Sequence, residues 1–253
     1  YDYLYGPDIA PDSLSPERSS FSEPILPERV KAAIKRLNPH LPPSTLEYAF
    51  KELLRINSPD LIANNETFHR MLTEGMTVSH TKNGHERGDL LWLVDFAHPE
   101  NNEFLIVNQF TIIENHVNKR PDVILFVNGL PLVVIELKNP ADENATIKSA
   151  FNQLQTYKVM VPSLFTYNGF LVISDGLEAK AGTLSSDMSR FMAWKTSDGV
   201  TEASKLIGQM ETLIKGMLNK QTMLDLIRYF IVFEKMKHED MKTGITTIRT
   251  TKK

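Results

Sequence analysis

The sequence contains no cysteine at all. That excludes disulfides, thiolate-bound zinc, iron–sulfur clusters and Cys nucleophiles together. Any metal must be held by carboxylates, histidines or backbone carbonyls, which favours a hard, oxygen-bound cation. No H-x-x-x-H or H-E-x-x-H spacing occurs among the seven histidines, so surface or turn roles are expected for them. Long apolar runs are also missing. The longest, such as Val123–Val127 and Leu132–Ile135, fall far short of a membrane span. No basic, then apolar, leader precedes the body of the chain, so a cytoplasmic location is expected. There is no G-x-x-x-x-G-K-[ST] loop, which excludes ATP hydrolysis by that route. Nor is there an excess of positive charge. The net charge is −3 and the pI about 6.2, so a uniformly basic nucleic-acid binder is unexpected while a local basic cleft is not excluded.

What is present is ordinary globular material: 253 residues, 42% hydrophobic and 23% charged, enough for one to two domains. The chain starts on Tyr1 rather than Met and ends on Lys252–Lys253, which reads as a piece of something longer. Residues 1–26, rich in proline, serine and aromatics, are expected to form an irregular arm. Helices are expected over Pro27–Leu37, from a capping box at Ser44-Thr45-Leu46-Glu47, and over Pro59–Glu74 with Gly75 as stop. β-rich runs follow at 90–96, 103–113, 122–127, 132–138 and 170–174, with a helix from about Asn144 to Val159. Residues 176–200 read as loops with a short strand at Phe191–Trp194. Two helical patterns, Glu202–Leu218 and Gln221–Phe233, close the chain, so residues 201–253 are expected to form a helical extension behind a core at 27–200. The last 19 residues carry six basic and two acidic side chains.

The chemistry concentrates between Arg120 and Lys138. Two apolar strands flank Asn128-Gly129, and Asp122, Glu136 and Lys138 stand at their outer ends. Charges on a central strand are costly unless paired or bound to metal. Glu136 and Lys138 share a strand face. A hairpin centred on Gly129 pairs positions whose numbers sum to 258, which sets Asp122 opposite Glu136 with Cβ atoms about 5 Å apart. A two-residue turn at Asn128-Gly129 shifts that register by one. On the first register two carboxylates and an ammonium converge. Mg²⁺ would relieve the carboxylate repulsion, with the Leu137 carbonyl as a possible further ligand. A salt bridge at a strand end explains Glu136 and Lys138 equally well on spacing alone. Gln153 and Tyr157, four apart on the following helix, share a face suited to a backbone phosphate, or to the edge of an amphipathic helix. Lys119, Arg120, Lys148 and Lys158 flank this point as a basic rim or a solvated face.

Together these residues resemble the nuclease core of the PD-(D/E)xK superfamily. Pro121-Asp122 and Glu136-Leu137-Lys138 match its acidic motif, and Gln153-Leu154-Gln155-Thr156-Tyr157 matches the QxxxY motif of the RecB-like branch. More narrowly, the chain resembles the N-terminal part of the R subunit of type I restriction enzymes, HsdR. The stretches 128–138 and 152–157, Arg36-Leu37-Asn38-Pro39 with Leu41-Pro42, and Phe230–Glu234 carry this likeness. The resemblance implies an α/β, restriction-endonuclease-like core with a mixed, mostly antiparallel sheet flanked by helices. It implies Mg²⁺-dependent cleavage of double-stranded DNA beside methyltransferase (M) and specificity (S) subunits. Asp122 and Glu136 would be metal ligands, Lys138 the catalytic lysine, and Gln153 and Tyr157 the QxxxY pair. ATP would be used only by a motor that is absent from this chain. The family's extra upstream acid has one positional candidate, Glu47, whose capping box explains it as well. The alternatives are a catalytically silent docking module and a free-standing nuclease, the latter disfavoured by the acidic balance.

Overall fold

The computed structural model describes residues 1–82, 84–141, 146–204, 206–239 and 246–253. Its strands are β1 (Asp2–Tyr5), β2 (Met76–Lys82), β3 (His85–Leu91), β4 (Phe104–Asn108), β5 (Ile112–Glu114), β6 (Val117–Lys119), β7 (Val123–Val127), β8 (Leu130–Leu137), β9 (Phe170–Ser174), β10 (Ala179–Gly182), β11 (Phe233–Glu239) and β12 (Thr246–Lys252). Its helices are α1 (Pro27–Leu37), α2 (Pro43–Leu54), α3 (Leu61–Glu74), α4 (Ile147–Met160), α5 (Pro162–Thr166), α6 (Gln209–Gly216) and α7 (Lys220–Asp225).

The organising element is a six-stranded sheet in the order β1-β4-β7-β8-β9-β10. β1 runs parallel to β4 and β8 parallel to β9, while the other three pairings are antiparallel. Side chains alternate across it and feed two cores. On one face Leu125, Val133, Ile135 and Val172 meet α1, α2 and α3 through Ile34, Phe50 and Phe68. On the other face Ile124, Val134, Leu171 and Ile173 pack against Leu154 and Tyr157 of α4 and Phe165 of α5. The result is a mixed α/β sheet flanked by helices, as the sequence implied.

Helix boundaries follow local chemistry. Asp60 caps α3 by accepting from the N–H groups of Ile62 and Ala63, and Gly75 at φ 83° ends it. Thr146 and Ser149 form a reciprocal capping box at α4. The expected start of that helix at Asn144 lies outside the described residues. The Ser44 capping box does not form: α2 begins on Pro43, two residues before the start that a Ser44 cap would set, and the missing N–H of Pro43 leaves one fewer donor to satisfy.

Four other expectations are corrected. The N-terminal arm is not wholly irregular, because Asp2–Tyr5 becomes an edge strand on β4. The run 90–96 is not a sheet strand beyond Leu91. Its backbone is satisfied by buried side chains instead: Asn38 bonds both the N–H and C=O of Trp92, and Asn128 donates to the Leu93 carbonyl. The run 103–113 breaks at Gln109, which adopts a left-handed φ of 55°. The closing segment is only partly helical. The described residues of 201–208 form no helix, α7 runs on through one π turn to Phe230, and the chain ends in the β11–β12 hairpin.

Candidate active site

Asn128 and Gly129 both take positive φ, 52° and 80°, which is the two-residue type I′ turn that matches strand twist. Asn128 is locked there by Arg36, which donates to its amide oxygen, and by its own donations to Leu93 and Asn102. A Cβ on Gly129 would stand 2.7 Å from the Leu26 carbonyl, so this position excludes other residues. Next to the turn, the pairs Phe126↔Pro131 and Val127↔Leu130 follow the two-residue register. A bulge beyond Leu125 then shifts the ladder, so that Leu125↔Val133, Ile124↔Val134 and Val123↔Ile135 follow the register centred on Gly129. Both registers weighed from sequence therefore occur in one hairpin. The register centred on Gly129 governs the end where Asp122 and Glu136 lie.

Five sequence-selected residues come together there. Asp122 is held from two sides: the Leu137 N–H donates to Oδ2 at 2.8 Å, and Gln109 Nε2 donates to Oδ1 at 3.3 Å. Glu136 is completely buried on the α4 face. Its Oε1 accepts from Lys138 Nζ at 2.9 Å, while its Oε2 has no hydrogen-bond partner. Lys138 also donates to Gln153 Oε1, and Gln153 Nε2 donates to the Tyr157 hydroxyl. Burial pushes the Glu136 carboxyl up to about 7, against the opposing pull of Lys138; the charge of Asp122 adds to the rise. Tyr157 is pushed up to about 12, again by burial first.

The site opens into a groove of about 780 Å³ between α4 and the β5–β6 hairpin. Gln109, Asp122, Gln153 and Tyr157 lie along it, as do Lys119 and Arg120. Among the described residues no group of three or more histidines and carboxylates gathers. The carboxylates on offer for a cation are Asp122 and the unpartnered oxygen of Glu136. That donor set suits a small hard ion that keeps most of its waters.

Glu47 does not join the site. It lies half exposed on α2, 3.5 Å from Lys51. Lys158 turns away and donates to the Leu184 carbonyl. His69 departs from the expected surface role: it is buried, and burial with the nearby Lys252 charge lowers it to about 4. Gln109 was missed from sequence. A left-handed residue within an apolar β run carries no pattern, and the only signal was a polar residue interrupting that run.

The sheet order and the flanking helices define a restriction-endonuclease-like α/β fold. The chain belongs to the family described as type I restriction enzyme R protein N terminus (HSDR_N), which matches residues 1–190. It is 40% identical over 238 residues to the type I restriction enzyme HindI endonuclease subunit of Haemophilus influenzae, covering 93% of this chain and 23% of the relative. A provisionally named type I restriction enzyme MjaIXP endonuclease subunit of Methanocaldococcus jannaschii is 32% identical over 256 residues, covering 94% and 24%. The EcoprrI endonuclease subunit of Escherichia coli is 33% identical over 153 residues, covering 57% of this chain and 46% of the relative. The chain thus spans about a quarter of the length of the first two relatives.

Proposed function

We propose that this domain is the nuclease of a type I restriction enzyme R protein, hydrolysing phosphodiester bonds of double-stranded DNA in a Mg²⁺-dependent reaction of the PD-(D/E)xK kind. The observation that carries this reading is Glu136: a buried carboxylate with one oxygen unpartnered, beside Lys138 and beside Asp122, which lines an open polar groove. A buried polar atom without a partner is costly, and a cation between the two carboxylates would remove both that cost and their repulsion.

Asp122 and Glu136 would hold the ion. When bound, Mg²⁺ lowers the pKa of a water and polarises a phosphate oxygen. The chain's own groups do the rest. The Leu137 N–H and Gln109 fix both oxygens of Asp122, so that its direction is set before substrate arrives. Lys138 spends two hydrogens on Glu136 and Gln153, which leaves a third to donate to the attacking water or to a phosphate oxygen. Gln153, held in turn against Tyr157, fixes the position of the ammonium. In the hydrolysis a water oxygen forms the new P–O bond, one ester P–O bond breaks, and the departing oxygen takes a proton.

In this reading DNA recognition belongs to M and S partner subunits and ATP consumption to a motor elsewhere in the R protein. The complex works in the prokaryotic cytoplasm. Among the described residues no helix is long and apolar enough to cross a membrane. The test is cleavage of a plasmid bearing recognition sites by the assembled complex. Asp122→Asn, Glu136→Gln and Lys138→Ala should each reduce cleavage by about 10³-fold or more while the complex still assembles and hydrolyses ATP. Undiminished cleavage in any of the three would instead favour a docking module without nuclease activity.

A further inference from the structure

The groove extends well beyond the five residues of the site, and its far wall has no part in the chemistry above. That wall is the β5–β6 hairpin. Its tip turns on Asn115 and His116, both left-handed at φ 49° and 65°. The hairpin is fastened to the body at its base and along its length. Ile112 is completely buried, the Ile113 N–H donates to the Phe21 carbonyl, and Arg18 donates to the Thr111 carbonyl while its guanidinium stacks 3.7 Å from the Phe110 ring centre. Glu114 is turned away from the groove and accepts from the Ser163 N–H. The hairpin is therefore a rigid ridge.

The two walls share one chemistry. The ridge presents Asn118, Lys119 and Arg120, and α4 presents Asn152 and Thr156. Lys119 leans inward, its Nζ 6.0 Å from the Tyr157 ring centre. Against two cations and these amide and hydroxyl groups, Asp122 is the one carboxylate among the lining residues. Amides, hydroxyls and cations are what contact a sugar–phosphate backbone without reading its bases. We infer that the channel between the β5–β6 ridge and α4 is a track for one DNA strand, in which Lys119 and Arg120 neutralise phosphates next to the reacting one and Asn152 and Thr156 grip from the other side. The inference rests on the nuclease reading for its substrate. It assigns the strand's path, which the catalytic residues leave open.

The test is equilibrium binding of a fluorescent mixed-sequence DNA duplex to this chain in EDTA, across a range of salt. Chelation removes cleavage from the measurement, so the track and the chemistry fail separately. Each phosphate contact contributes about −0.9 to the slope of log K against log salt. Lys119→Ala/Arg120→Ala should weaken binding at least tenfold and flatten that slope by about two. Asn152→Glu, which sets a carboxylate on the opposite wall, should weaken binding as well. If the double alanine variant melts early, Lys119→Gln/Arg120→Gln carries the same test. An unchanged slope in the cation variants overturns the track, whatever Asn152→Glu does. So does a parent chain that fails to bind at about 10 mM salt, where screening is weakest. Should Glu136→Gln cleave normally in the complex while the slope still falls in the cation variants, the track stands and the catalytic reading falls.

Discussion

Glu136 and Lys252 are both buried ionisable groups, set at opposite ends of the parallel pair β8–β9, and they are handled in opposite ways. Lys252, on the last strand, donates to Asn65 Oδ1 at 2.8 Å and to the Asn168 carbonyl at 2.7 Å, with the Phe233 ring 5.6 Å away. Asn65 in turn donates to the carbonyls of Phe165, Thr166 and Asn168. The ammonium thus has two acceptors inside the protein, although Asn168 Oδ1 is itself buried without a partner, and burial lowers the ammonium to about 7. Glu136 is as deeply buried, yet one of its oxygens has no partner and its neighbour Asp122 carries the same charge. A buried ammonium that donates to acceptors on α3 and ahead of β9 fastens the last strand to the fold. A buried carboxylate oxygen left unpartnered next to Asp122, which lines the groove, leaves capacity for a cation. Neither buried charge nor an unfilled bond alone marks a functional site, since Asn168 Oδ1 and Trp194 Nε1 are also buried without partners; an unfilled carboxylate oxygen beside a second carboxylate does.

The contrast breaks most visibly on substitution of each group. Glu136→Gln should abolish cleavage, a loss of about 10³-fold or more, while stabilising the metal-free chain by about 1–3 kcal/mol in urea at neutral pH, because an isosteric amide carries no buried charge. Asn65→Ala should do the reverse. It strands three carbonyls and the lysine, and should cost about 3 kcal/mol or more in urea unfolding, with site chemistry untouched in whatever fraction stays folded.

The pH dependence should separate the two groups by sign. Glu136 titrates higher in the folded chain, near 7 against 4.5, so the folded state holds the extra proton and the stability of the parent falls as pH rises through that window. Lys252 titrates lower when folded, near 7 against 10.5, so stability rises with pH from 7 to 10.5. His69, lowered to about 4 from 6.5, works against Glu136 at acid pH. The clean readout is therefore each variant minus parent. The advantage of Glu136→Gln should grow from pH 4.5 to 7, and Lys252→Met should remove the rise above 7. The smallest effect concerns Gln109. Gln109→Gly relieves the left-handed backbone, worth about 1 kcal/mol of stability, yet deletes the amide on Asp122 and should weaken metal affinity about tenfold, read by calorimetric titration.

Much of this site is legible in the sequence. The alternation of Glu136 and Lys138, the Asn-Gly turn and the four-residue spacing of Gln153 and Tyr157 are local rules that tertiary context did not override. The register was legible only as two alternatives, because a bulge beyond Leu125 has no residue signature here. What stayed hidden depends on distant partners. Asp2–Tyr5 becomes a strand because β4 offers an edge, and 92–96 does not because Asn38 and Asn128 supply the bonds a neighbouring strand would give. Lys252 looked like one more cation in a basic tail. Its pocket is assembled from Asn65 and Asn168, far away in sequence.

The central claim is that the unpartnered Glu136 oxygen and Asp122 form a cation site. A crystal of this chain soaked in Mn²⁺ and measured at the manganese edge tests it most directly. The account predicts an anomalous peak in contact with both Asp122 and Glu136 that is lost in Glu136→Gln. A soaked crystal with no peak there, or with peaks only at surface carboxylates elsewhere, would contradict it.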